Sequence, residues 1–183
     1  MNMDISIIGL GFVGSAMKKS FEMKNVNTLG YDKFKDSDSF EDCLRSEIMF
    51  LCLPTVYDNE TKQYDKSCIL ETLELLQEKN YRGLIVNKST VEPEADKNLV
   101  NRFGKLKIIH NPEFLTAKTA FEDFHNQKHI VLGITKNVND GDVKVLEKFY
   151  ERLYPDAEIS ICDSTESESM KIFCNCFYAV KVQ

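Results

Sequence analysis

Residues 4–14 of this chain read Asp4-Ile-Ser-Ile-Ile-Gly-Leu-Gly-Phe-Val-Gly14, and they decide its fold. The stretch starts as a short apolar strand, passes through the spacing G-x-G-x-x-G and enters a helical run from Phe12 to Lys24. A glycine triplet between a strand and a helix is typical of dinucleotide-binding folds. A lone triplet is also compatible with a flexible turn, so the rest of the chain has to decide between the two.

The three glycines have separate uses in a dinucleotide site. Gly9 permits a tight turn, Gly11 lets the backbone approach a pyrophosphate, and Gly14 allows close packing of helix and strand. Asp32 ends a second apolar stretch, where an acid that binds the adenosine ribose hydroxyls is expected. The nearby lysines that follow, Lys33 and Lys35, are either surface charges or ligands of the adenosine phosphates. The sequence therefore favours a dinucleotide site over a flexible turn.

The bulk composition describes an acidic globular protein. With 183 residues the chain can bury the core of one full domain. A net charge of −6 argues against a nucleic-acid partner. We find no apolar run near the ~20 residues of a membrane span and no secretion signal, which predicts a cytoplasmic protein without a membrane partner.

The cysteines and histidines form no metal-binding spacing. The six cysteines include no C-x-x-C pair, and we expect buried thiols rather than disulfides or zinc ligands. The three histidines, His110, His125 and His129, share no ligand spacing with one another or with a cysteine. No metal is predicted.

Apolar strands alternate with helical patterns along the whole chain, which predicts an α/β fold with a doubly wound parallel sheet of the Rossmann type. The predicted strands are Ile5 to Ile8, Thr28 to Tyr31, Ile48 to Cys52, Leu84 to Asn87, Lys107 to His110, His129 to Gly133 and Glu158 to Cys162. The predicted helices are Phe12 to Lys24, Phe40 to Arg45, one starting at Asp65 or Ser67, Glu92 to Phe103 with Pro93 in its first turn, Asp142 to Tyr154 and Ser164 to Gln183. We expect a loop over 56–63, a cofactor domain over 1–163 and a linking helix over 164–183.

Ligands of such a sheet bind outside the carboxyl ends of the strands. Besides the glycine turn and Asp32, three motifs lie at those ends. They are Leu53-Pro54-Thr55, Lys88-Ser89-Thr90 and Asn111-Pro-Glu-Phe-Leu115.

In this order the motifs resemble the nucleotide-sugar 6-dehydrogenases, the UDP-glucose and GDP-mannose dehydrogenase family. The matching motifs are Gly9-Leu-Gly-Phe-Val-Gly14, Asp32, Cys52-Leu-Pro-Thr55, Lys88-Ser-Thr-Val91, Asn111-Pro-Glu-Phe-Leu115 and Glu168-x-x-Lys171-x-x-x-Asn175. The resemblance implies NAD as cofactor and a nucleotide sugar, UDP-glucose first, as substrate. It further implies that the sugar CH₂OH is oxidised twice, through an aldehyde and a cysteine thioester that water hydrolyses to the uronic acid.

The resemblance also assigns roles. Thr90 would lie near the nicotinamide and position a water or an oxyanion, and Glu113 would be the general base of thioester hydrolysis. Lys171 and Asn175, four residues apart on one helix face, would stabilise the sugar alkoxide. Phe114 and Leu115 would line the sugar site. The cofactor residues implied are Gly9, Leu10, Gly11, Phe12, Val13, Gly14, Asp32, Lys33, Leu53, Pro54, Thr55, Ser89 and Thr90.

Taken without the family pattern, four of these side chains have plainer interpretations. Thr90 is also a typical helix cap, Glu113 a solvated loop acid, and Lys171 a surface charge. Asn175 stands between two cysteines in an apolar surround, where an unpaired amide costs about 1 to 3 kcal/mol. It is therefore expected to need a partner or a ligand.

Two departures from the family pattern are visible. Ala117 stands where several members carry a second acid, with Lys118 beside it. The family's nucleophilic cysteine lies beyond the position of Gln183, so we expect the cofactor part of a longer enzyme, or a truncated one, that does not complete the reaction alone. Two rivals stay open. A β-hydroxyacid dehydrogenase explains Lys171 and Asn175 but not the Asn111 to Leu115 motif, and a nucleotide-binding module would hold NAD without chemistry.

The last helix carries a wide apolar stripe. Its members are Met170, Phe173, Phe177 and Val180, with Ile172, Cys176 and Ala179 beside them. Packing against one face of the sheet would not bury the whole width of this stripe. The sequence therefore predicts a homodimer through residues 170 to 183.

Overall fold

A computed structural model describes residues 3–181 of the chain. The strands are β1 (Ile5–Ile8), β2 (Thr28–Tyr31), β3 (Ile48–Leu51), β4 (Tyr57–Asp58), β5 (Gln63–Tyr64), β6 (Leu84–Asn87), β7 (Lys107–His110), β8 (His129–Ile134) and β9 (Glu158–Asp163). The helices are α1 (Phe12–Met23), α2 (Phe40–Cys43), α3 (Ser67–Glu78), α4 (Ala95–Arg102), α5 (Ala120–His125), α6 (Asp140–Leu153) and α7 (Ser164–Lys181), with a 3₁₀ turn at Ala117–Thr119. The first two residues of the predicted domain and the last two of the predicted dimer helix lie outside the described range.

Seven strands form one sheet in the order β2-β1-β3-β6-β7-β8-β9. The first five are mutually parallel, which confirms the predicted Rossmann-type α/β architecture. The prediction was wrong for the far edge of the sheet, because β8 runs antiparallel to β7 and carries β9 parallel to itself. The apolar pattern of a strand buried on both faces does not record its direction, so the reversal could not be read from it.

Helices cover both faces of the sheet, and each face has its own apolar core. On one face α1 and α6 pack through Phe21 and Phe149, whose ring centroids are 5.3 Å apart. On the other face α3 and α4 pack through Leu73 and Leu99 against Met49 of β3. The two cores fix the strand ends on which the functional motifs lie.

Three local predictions need correction. The helix expected from Glu92 begins only at Ala95, because Glu94 takes a left-handed conformation with φ +72° that ends the preceding turn. Pro93 consequently precedes the helix and does not lie in its first turn. The loop expected over 56–63 contains a two-stranded hairpin, in which the rings of Tyr57 and Tyr64 meet edge to face at 5.3 Å.

The third correction concerns residues 120–125, which we had not expected to form a helix. Helix α5 forms there and buries Phe124 against Phe21 of α1. One buried aromatic in six residues gives no helical periodicity, so tertiary packing decides this element. Within the described residues no helix is long and apolar enough to cross a membrane.

Candidate functional site

The glycine turn between β1 and α1 is shaped by steric contact. Gly9 has φ +93°, and a Cβ there would lie 2.5 Å from the carbonyl oxygen of Cys52. A Cβ on Gly14 would lie 1.9 Å from the carbonyl oxygen of Gly9 itself. A Cβ on Gly11, in contrast, would meet nothing within 4 Å. Two glycines are therefore required by the turn, and Gly11 leaves open space in front of it.

The start of α1 offers backbone donors to that space. Gly11 is the N-cap and makes no side-chain capping bond, while Phe12, next to it, is exposed. The first N–H groups of a helix lack intrahelical partners and attract anions. A cavity of about 550 Å³ lies at this turn and is lined in part by Leu10, Gly11, Phe12, Lys35, Ala117 and Lys118. Val13 packs half-buried against the core behind it. This arrangement fits a bound pyrophosphate.

Asp32 is tied to the glycine turn through its side chain. Its Oδ2 accepts a hydrogen bond from the N–H of Leu10 at 2.8 Å, and its Oδ1 accepts one from the N–H of Phe34 at 3.0 Å. Lys33 points instead to Glu71, with 3.7 Å between Nζ and Oε2. Lys35 donates to the carbonyl of Leu10. Of the two nearby lysines, the structure thus places Lys35 rather than Lys33 at the turn.

The motifs after β3 and β6 are held together by two hydroxyl groups. Ser89 Oγ donates to the carbonyl of Leu53 at 2.8 Å and accepts from the N–H of Leu53 at 3.1 Å. Thr55 Oγ1 donates to the carbonyl of Thr90 at 2.6 Å. Thr90 does not cap α4, which begins five residues later. Pro54 between them is exposed at this edge of the sheet.

Glu113 and Lys171 meet although 58 positions separate them in sequence. Lys171 Nζ lies 3.0 Å from Glu113 Oε1 and also donates to the carbonyl of Glu113. Glu113 Oε2 accepts from the N–H of Leu115 at 2.7 Å. The side chains of Lys171 and Glu113 are only 6% and 14% exposed, respectively, so neither is a solvated surface charge. The ring of Phe114 lies 5.5 Å from Lys171 Nζ. The pair places an ammonium group and a carboxylate beside an aromatic ring.

Asn175 lies one turn beyond Lys171 on α7 and is exposed. The expectation of an apolar surround was therefore wrong, because solvent can satisfy the amide. The prediction of buried thiols was also too broad. Cys43 is buried, Cys176 is exposed, and the others described are half-buried, all as free thiols. At the candidate site burial raises the pKa of Cys52 to about 12, which leaves that thiol protonated.

Sequence reasoning overlooked a buried polar network behind the site. Lys88 Nζ donates to Asn111 Oδ1 at 3.0 Å, and Tyr150 OH donates to the same oxygen. Burial lowers the pKa of Lys88 to about 8. His110 Nδ1 is hydrogen-bonded to Ser167 Oγ on α7. A lysine directly after the buried strand β6 was the available signal for this network.

A sequence profile of the UDP-glucose/GDP-mannose dehydrogenase family, NAD binding domain, matches residues 33–154 of this chain. UDP-glucose 6-dehydrogenase of Campylobacter jejuni is 26% identical over 98% of this chain and 53% of its own length. GDP-mannose 6-dehydrogenase of Pseudomonas syringae pv. tomato is 27% identical over 98% of this chain and 50% of its own. The chain thus spans about half the length of these curated relatives.

A solved structure of UDP-glucose dehydrogenase from the archaeon Pyrobaculum islandicum superposes with a TM-score of 0.84. The match covers 99% of this chain and 51% of that one at 21% identity, and it supports the fold alone.

Proposed function

Since this chain belongs to the UDP-glucose/GDP-mannose dehydrogenase family and matches its NAD-binding domain, we propose that it is the cofactor-binding part of an enzyme that oxidises a nucleotide sugar, UDP-glucose first. NAD, when bound, accepts the hydride from the sugar carbon. The rival assignment to β-hydroxyacid dehydrogenases gives no account of the Asn111 to Leu115 motif and is set aside. The buried pair of Lys171 and Glu113 argues against the other alternative, a module that binds NAD without chemistry.

The observation that carries the proposal is that pair. A buried ammonium beside a buried carboxylate, at the same sheet edge as the glycine turn, suits the oxidation of an alcohol. In the proposed reaction Lys171 stabilises the negative charge that develops on the sugar oxygen as its proton leaves. Exposed Asn175, one helical turn away, adds a neutral donor from the same helix.

The carboxylate serves the later hydrolytic step in this proposal. Glu113 takes a proton from water as general base, and its Oε2 is oriented by the N–H of Leu115. Thr90 orients the water or the oxyanion, while Phe114 and Leu115 line the sugar site. Cys52 is not offered as the acylated nucleophile, because its protonated, buried thiol reacts poorly.

For the cofactor, the proposal assigns the pyrophosphate to the N-terminus of α1 and the adenosine ribose to Asp32. Leu53, Pro54, Thr55 and Ser89 form the opposite wall in this assignment. Lys33 drops out as a phosphate ligand, because it points towards Glu71. Free thiols suit a reducing compartment, so we place the reaction in the cytoplasm.

Calorimetry with NAD and NADP tests the cofactor assignment. We expect NAD to bind at least about tenfold more tightly, a difference of about 1.4 kcal/mol, because the Asp32 carboxylate repels a 2′-phosphate. Asp32→Asn, which keeps an acceptor for the N–H of Leu10, should reduce the difference between the NAD and NADP affinities. Lys33→Ala is the matched control and should leave both affinities unchanged. Equal affinities in the unaltered chain would remove Asp32 from this role.

We also propose that the chain forms a homodimer through residues 170 to 183. Phe173, Phe177 and Val180 are 73%, 63% and 73% exposed. Burying each large apolar side chain is worth about 1.5 to 3 kcal/mol. Light scattering should show a dimer that Phe177→Asp weakens, whereas Phe34→Asp, at a still more exposed aromatic far along the chain, should not. A monomer at high concentration would contradict this proposal.

A further inference from the structure

Helix α7 packs on the domain with its polar side. Its buried residues are Ser164, Ser167, Glu168 and Lys171, at the i, i+3, i+4 and i+7 positions of one face. The large apolar side chains of this helix are exposed. Buried polar groups are costly unless they are hydrogen-bonded. The docking of α7, and with it the position of Lys171, therefore depends on specific polar partners.

Glu168 makes the contact that joins α7 to α4. Its Oε2 accepts from the N–H of Glu94 at 2.6 Å, and its Oε1 accepts from the N–H of Asp96 at 2.8 Å. These two donors stand at the start of α4, where N–H groups lack intrahelical partners. The N-cap residue of α4 supplies no side-chain capping bond of its own. Helix α4 is thus capped by a carboxylate from another helix.

The contact lies three residues before Lys171, on the same face of α7. Glu168 holds α7 to the connection that follows β6, and Lys171 meets the loop that follows β7 through Glu113. Ser167, directly before Glu168, is hydrogen-bonded to His110 at the end of β7. A shift of α7 at Glu168 would therefore move the ammonium group of Lys171 away from the site.

We propose that Glu168 is a positioning residue, which holds Lys171 against Glu113 by capping α4 from α7. This inference rests on the proposed function, in which Lys171 stabilises the sugar alkoxide. Glu168 itself contacts neither of the residues of that pair and is not assigned a chemical step.

The charges around Glu168 make the contact sensitive to pH. Asp96 is wholly buried, its Oδ1 accepts from Asn87 at 2.8 Å, and its Oδ2 has no hydrogen-bond partner. Since both oxygens of Glu168 accept N–H groups, the proton of the pair belongs on Asp96. Glu92 adds a further negative charge nearby, and Lys97 faces both Glu168 and Asp163. Alkaline pH should therefore add repulsion between α4 and α7.

Trace acetylation of lysines, read by peptide mass spectrometry, reports how accessible the Lys171 amine is in the 183-residue chain without cofactor. In the unaltered chain we expect Lys171 to react at least about tenfold more slowly than exposed Lys148, by analogy with other buried amines. Glu168→Ala should bring Lys171 close to the rate of Lys148 while buried Lys88 stays protected. In Glu168→Gln, which keeps one acceptor oxygen, the labelling rate of Lys171 should lie between its rates in the unaltered chain and in Glu168→Ala.

The matched control is Glu166→Ala, because Glu166 accepts from the N–H of Asp163, directly before its own helix, and not from α4. It should change the Lys171 rate less than twofold. In the unaltered chain the ratio of Lys171 to Lys148 labelling should rise with pH, and Asp96→Asn should remove that rise.

Two results would overturn the inference. One is that Lys171 stays protected in both Glu168→Ala and Glu168→Gln. The other is that Lys88 and Lys171 become reactive together, which would indicate general loosening. If Glu168→Ala does not fold, Glu168→Gln and the pH series decide by the same two criteria. Failure of NAD to bind would instead remove the proposed function, and it would leave the labelling result intact.

Discussion

The candidate site has a glycine end, at the turn between β1 and α1, and an α7 end, at Glu168 and Lys171, and different kinds of contact hold the two ends. At the glycine end, backbone atoms of neighbouring residues make the turn, and Asp32 completes it from only 22 positions beyond Leu10. At the α7 end, side chains of α7 reach partners 58 to 74 positions away, since Lys171 pairs with Glu113 and Glu168 accepts backbone N–H groups at the start of α4. The turn leaves no room for a Cβ at Gly9 or Gly14. The contacts of the α7 end depend on charge and on hydrogen bonds.

The largest effect is expected from adding one methyl group to the glycine end. Gly14→Ala places Cβ 1.9 Å from the carbonyl of Gly9 and should lower the free energy of unfolding by about 3 kcal/mol or more. Gly11→Ala meets no atom within 4 Å and should cost less than about 1 kcal/mol. Denaturant unfolding followed by circular dichroism measures both values.

The same two variants separate the turn from the ligand. Calorimetry should show that Gly11→Ala loses NAD affinity although it folds, because its methyl group occupies space that the pyrophosphate needs. Full affinity in Gly11→Ala would place the pyrophosphate elsewhere. Equal stability of the two variants would contradict the steric account of the turn.

A smaller effect is expected at the α7 end. Lys171→Met leaves the Glu113 carboxylate buried without its cation, and breaking such a pair costs about 3 kcal/mol. Glu113→Gln should also destabilise the chain, and the double variant should be more stable than the sum of both predicts, with a coupling of about 1 to 3 kcal/mol.

The exposed pair of Lys79 and Glu41 provides the control for that cycle. Its side chains are 45% and 64% exposed at an Nζ to Oε1 distance of 2.6 Å. Glu41→Gln should change the free energy of unfolding by less than about 1 kcal/mol. Additive effects of the Lys171 and Glu113 variants would mean that the two charges do not stabilise each other.

The difference between the two ends also explains what the sequence revealed. The glycine spacing, Asp32 and the strands β1 to β3 follow from local pattern, so they could be predicted with their boundaries nearly correct. The family resemblance brought Lys171 and Glu113 to attention, but no spacing in the sequence says that they touch. The reversal of β8 and the burial of Asp96 are likewise tertiary facts. A polar residue on a helix looks the same whether it faces water or a second helix.

The smallest expected effect is a pH dependence confined to the α7 end. Burial raises the pKa of Asp96 to about 7, so this carboxyl, whose Oδ2 has no hydrogen-bond partner among the described residues, holds the proton of the pair. Ordinary carboxyl groups of the unfolded chain titrate near 4. The folded state thus keeps a proton that the unfolded state has lost, so stability falls as pH rises towards 8.

Two other buried groups make stability rise with pH, but they do so mainly outside the interval in which the carboxyl pair titrates. Burial lowers the pKa of His110 to about 3, so stability falls as the pH drops below about 6.5, where the unfolded histidine takes a proton. Burial lowers the pKa of Lys88 to about 8, so its contribution makes stability rise with pH above 8. Between about pH 6.5 and 8 the carboxyl pair therefore contributes more to the pH dependence of stability than His110 or Lys88 does.

Urea unfolding at several pH values within that interval tests the pair. The free energy of unfolding should fall by about 1.4 kcal/mol, the equivalent of one pKa unit, and Asp96→Asn should flatten the curve because its amide still accepts from Asn87 and carries no proton to lose. Asp156→Asn, at an 83% exposed carboxylate, should keep the slope of the unaltered chain. A slope that survives Asp96→Asn would show that the proton lies elsewhere, and α7 would then be docked by hydrogen bonds without a titrating partner.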